Sequence, residues 1–330
     1  MARAGIVARA RAAHAFFRAH PRLTKALQAT LVAATVGLCA WAVVDQWHKA
    51  APRLENANLW FVGAAFLTVA AYYLVFILGW IRMLEAWRIR VPYQAALQAE
   101  MVSMLAKYLP GGVWTPAARA VALRRAAGVT DTGTVLASIL VEAALSAISG
   151  VIVFVVSLAW VRGVDAPLWA LVSLAVLLAS LLYPRVFRPL SEKLLRPFGA
   201  GRIDPLPFPL TLLLLLFYCA TWVLGGIAVY FFLRSLGSNP GVSTIPFLGG
   251  VSAVGAIVAV LAVFLPSGLG AREASMYGLL LAVTTSGAAL GVTLLNRLAI
   301  TLVEVALFAT GVVSWPGRRE PREARLLSTE

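Results

Sequence analysis

Charged residues are scarce in this chain. Only 13% of its 330 residues are Asp, Glu, Lys or Arg, whereas 61% are hydrophobic. A soluble domain usually carries about a quarter charged residues, so too few remain here to cover a water-facing surface. The apolar residues also occur in long blocks, which is typical of membrane-spanning helices. The composition therefore excludes an ordinary soluble globular protein.

Cysteine and histidine are equally rare. The two cysteines lie far apart in separate apolar blocks, and the three histidines all fall within the first 48 residues. Neither the spacing of a metal site nor that of a disulfide framework is present. A Walker loop, a nucleophile elbow, an HExxH motif and a GxGxxG fingerprint are also missing from the sequence. We therefore expect no metal, no cofactor and no catalytic residues.

Acidic residues are few, since 28 basic residues stand against 14 acidic ones. Such an excess can indicate nucleic-acid binding, but the sequence lacks basic segments interleaved with aromatic residues. Cytoplasmic loops rich in Lys and Arg explain the excess better. Residues 1–26 contain six basic residues and no acid. We expect a retained cytoplasmic segment there, because the stretch that follows is about long enough to span and lacks a clear cleavage site.

Long apolar stretches indicate several membrane crossings. Each holds about 18 or more mostly apolar residues, enough to cross a hydrocarbon core of about 30 Å. Aromatic residues near the ends of several stretches, such as Trp60, Trp80, Trp160 and Tyr183, are predicted to be interfacial anchors, as are Tyr108 and Trp114. The stretches cover residues 27–44, 59–81, 134–160, 166–183, 209–233, 245–265 and 288–315.

Residues 93–127 interrupt this pattern. A moderately apolar stretch with internal charge ends in Lys-Tyr-Leu-Pro-Gly-Gly-Val-Trp at residues 107–114. Pro110, Gly111 and Gly112 cannot continue a helix. A basic helical stretch follows. We predict a re-entrant helix hairpin, because a broken backbone at membrane depth requires a protein-lined or wet environment.

A second break resembles the first. Residues 265–273 read Leu-Pro-Ser-Gly-Leu-Gly-Ala-Arg-Glu, with Pro266 and Gly268 at the break. Each break is followed by an arginine and then by a long apolar segment that holds one glutamate, Glu142 or Glu304. Interrupted segments at corresponding places in two halves indicate the central site of a transporter. The alternative is that residues 245–265 and 274–286 both cross fully.

The distribution of charge predicts the topology. With both broken segments re-entrant, the chain makes six crossings and places 21 of its 28 basic residues on the side of both termini. This agrees with the positive-inside rule. We therefore predict an all-α polytopic membrane protein with about six full spans, two broken hairpins and an inverted repeat. A single membrane domain, residues 27–316, would divide into halves at about 27–160 and 166–316, followed by a cytoplasmic tail, 317–330.

Eight ionisable residues lie inside or beside apolar segments. A charge at the centre of a membrane costs about 2.5–3.5 kcal/mol, so such residues usually face a bundle interior or a water-filled cavity. The basic residues would bind an anionic group, and the acids would balance the empty site or carry protons. Structural ion pairs, such as one between Glu100 and Lys107, are the alternative. The residues are Glu100, Lys107, Arg119, Glu142, Arg272, Glu273, Arg297 and Glu304.

The first break, with Arg119 behind it, resembles the signature of the lysylphosphatidylglycerol synthase transmembrane family. The second break resembles another segment of that family, although Ser267 stands where glycine is expected. The resemblance covers roughly residues 25–315. It implies a membrane domain of the flippase type. Since the aminoacyltransferase domain of the two-domain synthases follows the membrane part and this sequence ends at Glu330, we expect no synthase activity.

Together, the buried charges and the resemblance predict a lipid translocase. Its substrate would be an anionic phospholipid or a polyprenyl-phosphate-linked glycolipid. The Ala- and Arg-rich composition is typical of a bacterium with GC-rich codons, so we expect a bacterial cytoplasmic membrane. Two other interpretations stay open: a membrane-embedded transferase that uses a lipid-phosphate donor, and a non-catalytic membrane subunit of a glycosyltransferase or lipid-modifying system. A homo-oligomer and a glycosyltransferase partner are both compatible with the sequence.

Overall fold

The structure, a computed structural model, describes residues 57–109, 114–161, 163–164, 167–196, 203–262 and 265–313, with the single positions 30, 37, 41, 44 and 55. The predicted basic segment 1–26, the tail 317–330 and the glycine pair of the first break with Pro110 lie outside these residues. The predicted span 27–44 also lies outside them, apart from four single positions.

Helices make up all the secondary-structure elements of the described residues. Two short 3₁₀ turns, Val242–Thr244 and Pro266–Gly268, accompany ten α-helices. The α-helices are α1 (Leu59–Ala86), α2 (Tyr93–Ala106), α3 (Trp114–Ala127), α4 (Thr132–Ser157), α5 (Leu168–Leu182), α6 (Pro184–Leu195), α7 (Phe208–Ser235), α8 (Ile245–Leu261), α9 (Ala271–Leu280) and α10 (Ser286–Val313).

Five of these helices are long and apolar enough to cross a membrane. They are α1, α4, α7, α8 with its preceding 3₁₀ turn, and α10. A sixth crossing results if α5 and α6, bent by 77° at their junction, count as one span. The predicted all-α polytopic membrane fold is therefore confirmed. The inverted relation of its two halves stays a prediction.

Helix α8 packs between α7 and α4, and small residues allow the close approach. A Cβ atom on Gly250 would lie 2.6 Å from the Cα of Phe154 in α4. A Cβ on Gly249 would likewise run into the backbone of Trp222 in α7. Such glycines let helix backbones come together where no hydrophobic effect drives association. The tight packing fixes α8, which leads into the second break.

The two ends of the bundle differ in charge. At one end, the Asn58 amide donates to the Ser235 carbonyl at 2.9 Å, and Arg234 and Glu55 are charged residues close to them in the described sequence. At the other end, the Trp87 indole donates to the Asp204 carbonyl at 2.7 Å. Nine described basic residues gather at this second end, here called the basic end, against four acids. The basic residues are Arg82, Arg88, Arg90, Arg124, Arg125, Arg185, Arg188, Lys193 and Arg196, and the acids are Glu85, Asp131, Glu192 and Asp204.

The two broken segments have different lengths. Helices α2 and α3 pack against each other on either side of residues 110–113, as expected for a helix hairpin. In the second segment, α8 has spanning length, whereas α9 has ten residues and covers about 15 Å. This is half of a hydrocarbon core, which removes the alternative of two full spans in this segment. The segment between the predicted stretches 166–183 and 209–233 contains α6, a helix that the apolar pattern did not indicate.

Candidate functional site

The two helix breaks meet inside the bundle. The Ser267 amide in the second break donates a hydrogen bond of 2.9 Å to the carbonyl oxygen of Lys107, at the end of α2. The Ser267 carbonyl in turn accepts a bond of 3.1 Å from Nη1 of Arg297 in α10. Backbone groups freed from helices are therefore satisfied by each other and by a buried guanidinium, as the low polarity of a membrane interior requires.

The second break turns sharply because three of its residues have positive φ. Ser267 has φ 52°, Gly268 has φ 64° and Gly270 has φ 83°. This left-handed region is accessible to glycine and unfavourable for most other residues. It explains physically why a glycine is expected in the place of Ser267. A Cβ on Gly268 would also collide with Ala259 of α8. Both the positive φ and the close packing therefore require glycine at this position.

Glu304 lies at the centre of the described charges. Its side chain is 0% exposed, forms an ion pair with Lys107 and accepts a hydrogen bond from the Tyr73 hydroxyl. These contacts connect α10, the end of α2 and α1. Oε2 of Glu304 has no hydrogen-bond partner among the described residues.

Arg297 is 2% exposed and faces the second break. Its Nη1 lies 3.4 Å from Oε1 of Glu273, whose Oε2 accepts a 2.7 Å bond from the Gly270 amide at the start of α9. The guanidinium carbon also lies 5.9 Å from the centre of the Tyr108 ring. Within the described part of the chain, Nε and Nη2 of Arg297 have no hydrogen-bond partner, so two of its donor groups are available to a ligand.

Arg272 is the least satisfied cation of the group. It is half-buried at the start of α9, and neither an ion pair nor a hydrogen bond of its side chain occurs with the described residues. Glu273, Glu304 and Arg297 are within electrostatic reach of it. Gly255 of α8 allows α9 to pack closely against α8. A Cβ atom at this position would lie 2.7 Å from Cγ of Met276 and 3.4 Å from Cγ of Arg272.

These residues form what we call the break cluster. Among its described members three are basic and two are acidic, so the break cluster carries one excess positive charge at neutral pH. A local excess of positive charge in an apolar bundle is unfavourable, and an anion bound there would relieve it. The charged members are Lys107, Arg272, Glu273, Arg297 and Glu304, held around the backbone of Ser267.

A second group of charges, the Arg119 cluster, is formed mainly by residues of the first half. The Arg119 guanidinium contacts two carboxylates, that of Glu142 and, at 2.6 Å from its Nη2, that of Glu100. It stacks 3.7 Å from the centre of the Trp80 ring, and the Tyr218 hydroxyl donates to Glu142 at 3.3 Å. With two acids and one base, the Arg119 cluster has an excess negative charge.

The two clusters balance each other. Glu100 lies within electrostatic reach of Lys107 and Glu304, so the excess charges of opposite sign can interact through the bundle. Taken together, the eight residues are four acids and four bases. The arrangement is therefore neutral as a whole but polarised, with its positive part at the two breaks.

The structure brings all eight predicted ionisable residues into these clusters, but the one ion pair named as an alternative does not form. Glu100 pairs with Arg119 and not with Lys107. Arg119, which the sequence places just behind the first break, is buried. Arg297 and Glu304, both in α10, pair with different residues, Glu273 and Lys107. Pro266 and Gly268 do lie at the break beside Arg297, whereas Pro110, Gly111 and Gly112 lie outside the described residues.

Four aromatic residues of the site carry no charge, so a search for charged residues in apolar segments does not find them. Trp80 was expected at the membrane interface, yet it is fully buried, stacks on Arg119 and donates 2.8 Å to the Ser138 hydroxyl. Tyr108 is also buried and hydrogen-bonds to Thr301 at 3.0 Å. Tyr73 and Tyr218 were missed, although a tyrosine in the middle of an apolar span, rather than at its end, is itself a signal of a buried polar partner.

A bundle of apolar helices with charge buried around two helix breaks defines a polytopic membrane protein with an internal polar site. The sequence model of the lysylphosphatidylglycerol synthase TM region matches residues 27–307. The chain therefore belongs to that family, as the first break predicted, and is a multi-pass membrane protein. No curated protein matches the chain.

Proposed function

We propose that this protein is a lipid translocase of the flippase type and that its substrate is an anionic phospholipid or a polyprenyl-phosphate-linked glycolipid. The observation that supports this most directly is the excess positive charge of the break cluster inside an apolar bundle. A lipid headgroup that carries a phosphate has a negative charge, which would balance the positive excess of the break cluster. Its oxygens are also hydrogen-bond acceptors for the unpaired donors of Arg297.

The cations of the break cluster have distinct roles in this proposal. Arg272 engages the phosphate first, because it has no acidic partner among the described residues. Arg297 adds the unpaired donors of its guanidinium, whose planar arrangement suits hydrogen bonds to phosphate oxygens. Lys107 is held by Glu304 in the empty site and is released when the phosphate competes for it.

The Arg119 cluster and the helix breaks supply the rest of the mechanism. Glu100 and Glu142 hold Arg119, and their excess negative charge sets the field across the site. Pro110, Gly111 and Gly112, which cannot continue a helix, are part of the substrate-binding site in this proposal. Movement of one half against the other would then expose the site to each side in turn.

We further propose that no covalent chemistry takes place. In the described residues every acid of the two clusters is in contact with a cation, so each has a binding partner before any substrate arrives. The basic end would lie in the bacterial cytoplasm by the positive-inside rule, with both termini on that side.

Translocation in proteoliposomes tests the proposal. Fluorescent phosphatidylglycerol and phosphatidylcholine in the inner leaflet are followed by a membrane-impermeant quencher added outside. We expect protein-dependent movement of phosphatidylglycerol that falls about tenfold or more in Arg272→Gln, since one charge-assisted hydrogen bond is lost. Arg82→Gln, which removes an exposed charge at the basic end, should leave the rate within about twofold.

The assay has a second arm for the other lipid class. If phosphatidylglycerol does not move, a polyprenyl-phosphate sugar replaces it under the same conditions. Movement that Arg272→Gln abolishes would assign the glycolipid as substrate. Movement of neither lipid, or equal rates in Arg272→Gln and wild type, would overturn the proposal.

A further inference from the structure

Helix α6 leaves the direction of α5 abruptly, and the sequence explains the bend. Pro184 disfavours a helical conformation at the residue before it, and Tyr183 is extended with φ −63° and ψ 132°. The Tyr183 carbonyl accepts the first amide bonds of α6, from Val186 at 2.9 Å and Phe187 at 2.8 Å. The resulting bend of 77° sends α6 sideways at the basic end.

The side chains of α6 form three faces. Phe187, Ser191 and Leu195, four residues apart, are buried and point toward the bundle, where α6 contacts α4 and α5. Val186 and Leu194 are apolar yet 39% and 53% exposed. The remaining face is basic and exposed, with Arg185, Arg188, Lys193 and Arg196.

The order of these faces around the helix is specific. At about 100° per residue, the exposed apolar side chains of Val186 and Leu194 fall between the buried edge and the basic face. A helix at a membrane surface needs this order, because one apolar side meets acyl chains while the basic side meets headgroups. Tyr183, exposed at the bend, lies where interfacial aromatic residues are enriched.

The composition of α6 excludes a position in the hydrocarbon core. Its four basic residues stand against one acid, Glu192, and charges at membrane depth are expensive. The only ion pair of the basic face among the described residues joins Arg188 to Asp204 at 3.3 Å, with both side chains largely exposed. Such a pair is weak, so all four basic residues are available to a ligand.

We propose that α6 is an interfacial helix that binds the headgroups of anionic lipids in the leaflet at the basic end. The apolar residues Val186 and Leu194 reach into the acyl chains, and the basic face holds phosphate groups of several lipids. This binding is independent of the translocase function: it anchors and orients the bundle whether or not a lipid crosses it. It also requires no contact with the break cluster.

The depth of α6 can be measured with nitroxide labels in the full-length protein. In a Cys39→Ser/Cys219→Ser background, single cysteines replace Val186, Leu194, Arg185 or Arg188. In vesicles of phosphatidylcholine and phosphatidylglycerol, labels at 186 and 194 should be relaxed mainly by oxygen, and labels at 185 and 188 mainly by a water-soluble nickel chelate. Preference for nickel at all four positions, or for oxygen at all four, would overturn the proposal.

Lipid selectivity provides the second test. The association of spin-labelled phosphatidylglycerol relative to phosphatidylcholine is compared in Arg185→Gln/Lys193→Gln and in Arg124→Gln/Arg125→Gln, which removes two exposed charges of α3 at the same end. Each neutralised residue near an anionic surface is worth at most about fivefold. We expect a severalfold loss of selectivity in the α6 variant but not in the α3 variant. Salt should also reduce the selectivity of the α6 variant less than that of wild type.

The comparison of the α6 and α3 variants decides whether α6 itself binds the lipids. Equal losses in the α6 and α3 variants would mean a diffuse attraction of the whole basic end and would contradict a dedicated helix. Helix content and melting temperature, measured for both variants, separate a lost binding face from a lost fold. Because no lipid has to cross the membrane, a negative result here leaves the translocase proposal untouched.

Discussion

Lys107 and Glu304 form an ion pair that joins the first helix break to the last described helix, although 197 residues separate them in the chain. The pair connects the end of α2 in the first half of the sequence with the interior of α10 in the second half. Its partners differ in exposure, since Glu304 is fully buried whereas Lys107 retains some access to solvent. The lysine is therefore the member that a ligand can reach.

The first prediction concerns this pair. Lys107→Met leaves the buried Glu304 carboxylate without its cation, and we expect a loss of about 3 kcal/mol in the free energy of unfolding. Lys107→Met/Glu304→Gln should recover most of it, because the amide still accepts the Tyr73 hydroxyl and no charge is left unpaired. Unfolding by titration with SDS measures both values.

The exposed ion pair of Arg82 and Glu85 is the matched control. Nη1 of Arg82 lies 3.0 Å from Oε2 of Glu85, about one helical turn further along α1. Glu85→Gln should change the unfolding free energy by less than about 1 kcal/mol. A loss from Lys107→Met no larger than that of Glu85→Gln would contradict a buried, stabilising contact between the two breaks and α10.

The second prediction follows from the charge imbalance of the Arg119 cluster. Glu100→Gln removes one of two carboxylates that face a single guanidinium, so its effect on melting temperature should be small. Arg119→Met leaves two buried carboxylates facing each other and should be severely destabilising. The triple variant Glu100→Gln/Arg119→Met/Glu142→Gln should be more stable than Arg119→Met alone.

Thermal melting of the purified protein ranks these variants. The ranking has Glu100→Gln nearest to wild type, the triple variant next and Arg119→Met last. A triple variant that melts below Arg119→Met would show that the cluster acts through the shape of its side chains and not through their charge.

Sequence reasoning predicted the helices well because apolar length has a direct cause. A span of α1 or α7 must cover the hydrocarbon core, so its bounds follow from hydropathy alone within a few residues. The breaks were equally readable, since proline and paired glycine cannot continue a helix. The resemblance that rests on the first break was confirmed by the family match over residues 27–307.

The partners of the buried charges could not be predicted in the same way. Glu100 meets Arg119 because α2 packs on α3, and Glu304 meets Lys107 because α10 packs on α2. Neither contact has a sequence signature at a fixed spacing. Trp80 has the position of an interfacial anchor in sequence but turns inward to a cation that only the tertiary fold supplies. Helix α6 was missed because an amphipathic surface helix has too little apolar length to resemble a span.

The third prediction concerns the left-handed conformation of Ser267. Its backbone amide and carbonyl make the contacts with Lys107 and Arg297, so the side chain is dispensable for them. Ser267→Gly should leave the unfolding free energy unchanged or raise it by up to about 1 kcal/mol, because glycine adopts positive φ without strain. Ser267→Val places a β-branched side chain at φ 52° and should destabilise the protein.

The same two variants distinguish backbone from side-chain roles in transport. Ser267→Gly should retain the translocation rate of wild type, whereas Ser267→Val should reduce it together with stability. Loss of transport in a stable Ser267→Gly variant would show that the serine hydroxyl itself contacts the substrate.

The fourth prediction tests the close packing that holds α8 in place. A Cβ on Gly250 would lie 2.6 Å from backbone of α4, which cannot move easily, so Gly250→Ala should destabilise the protein by about 1–3 kcal/mol. A Cβ on Gly255 meets the flexible side chain of Met276 instead, so Gly255→Ala should be milder. Gly225→Ala in α7 meets no atom of the described residues within 4 Å and should be neutral or stabilising by up to about 1 kcal/mol, because alanine favours a helix. SDS titration of the three variants gives the order, and equal effects at Gly250 and Gly225 would mean that α8 and α4 are not in direct backbone contact.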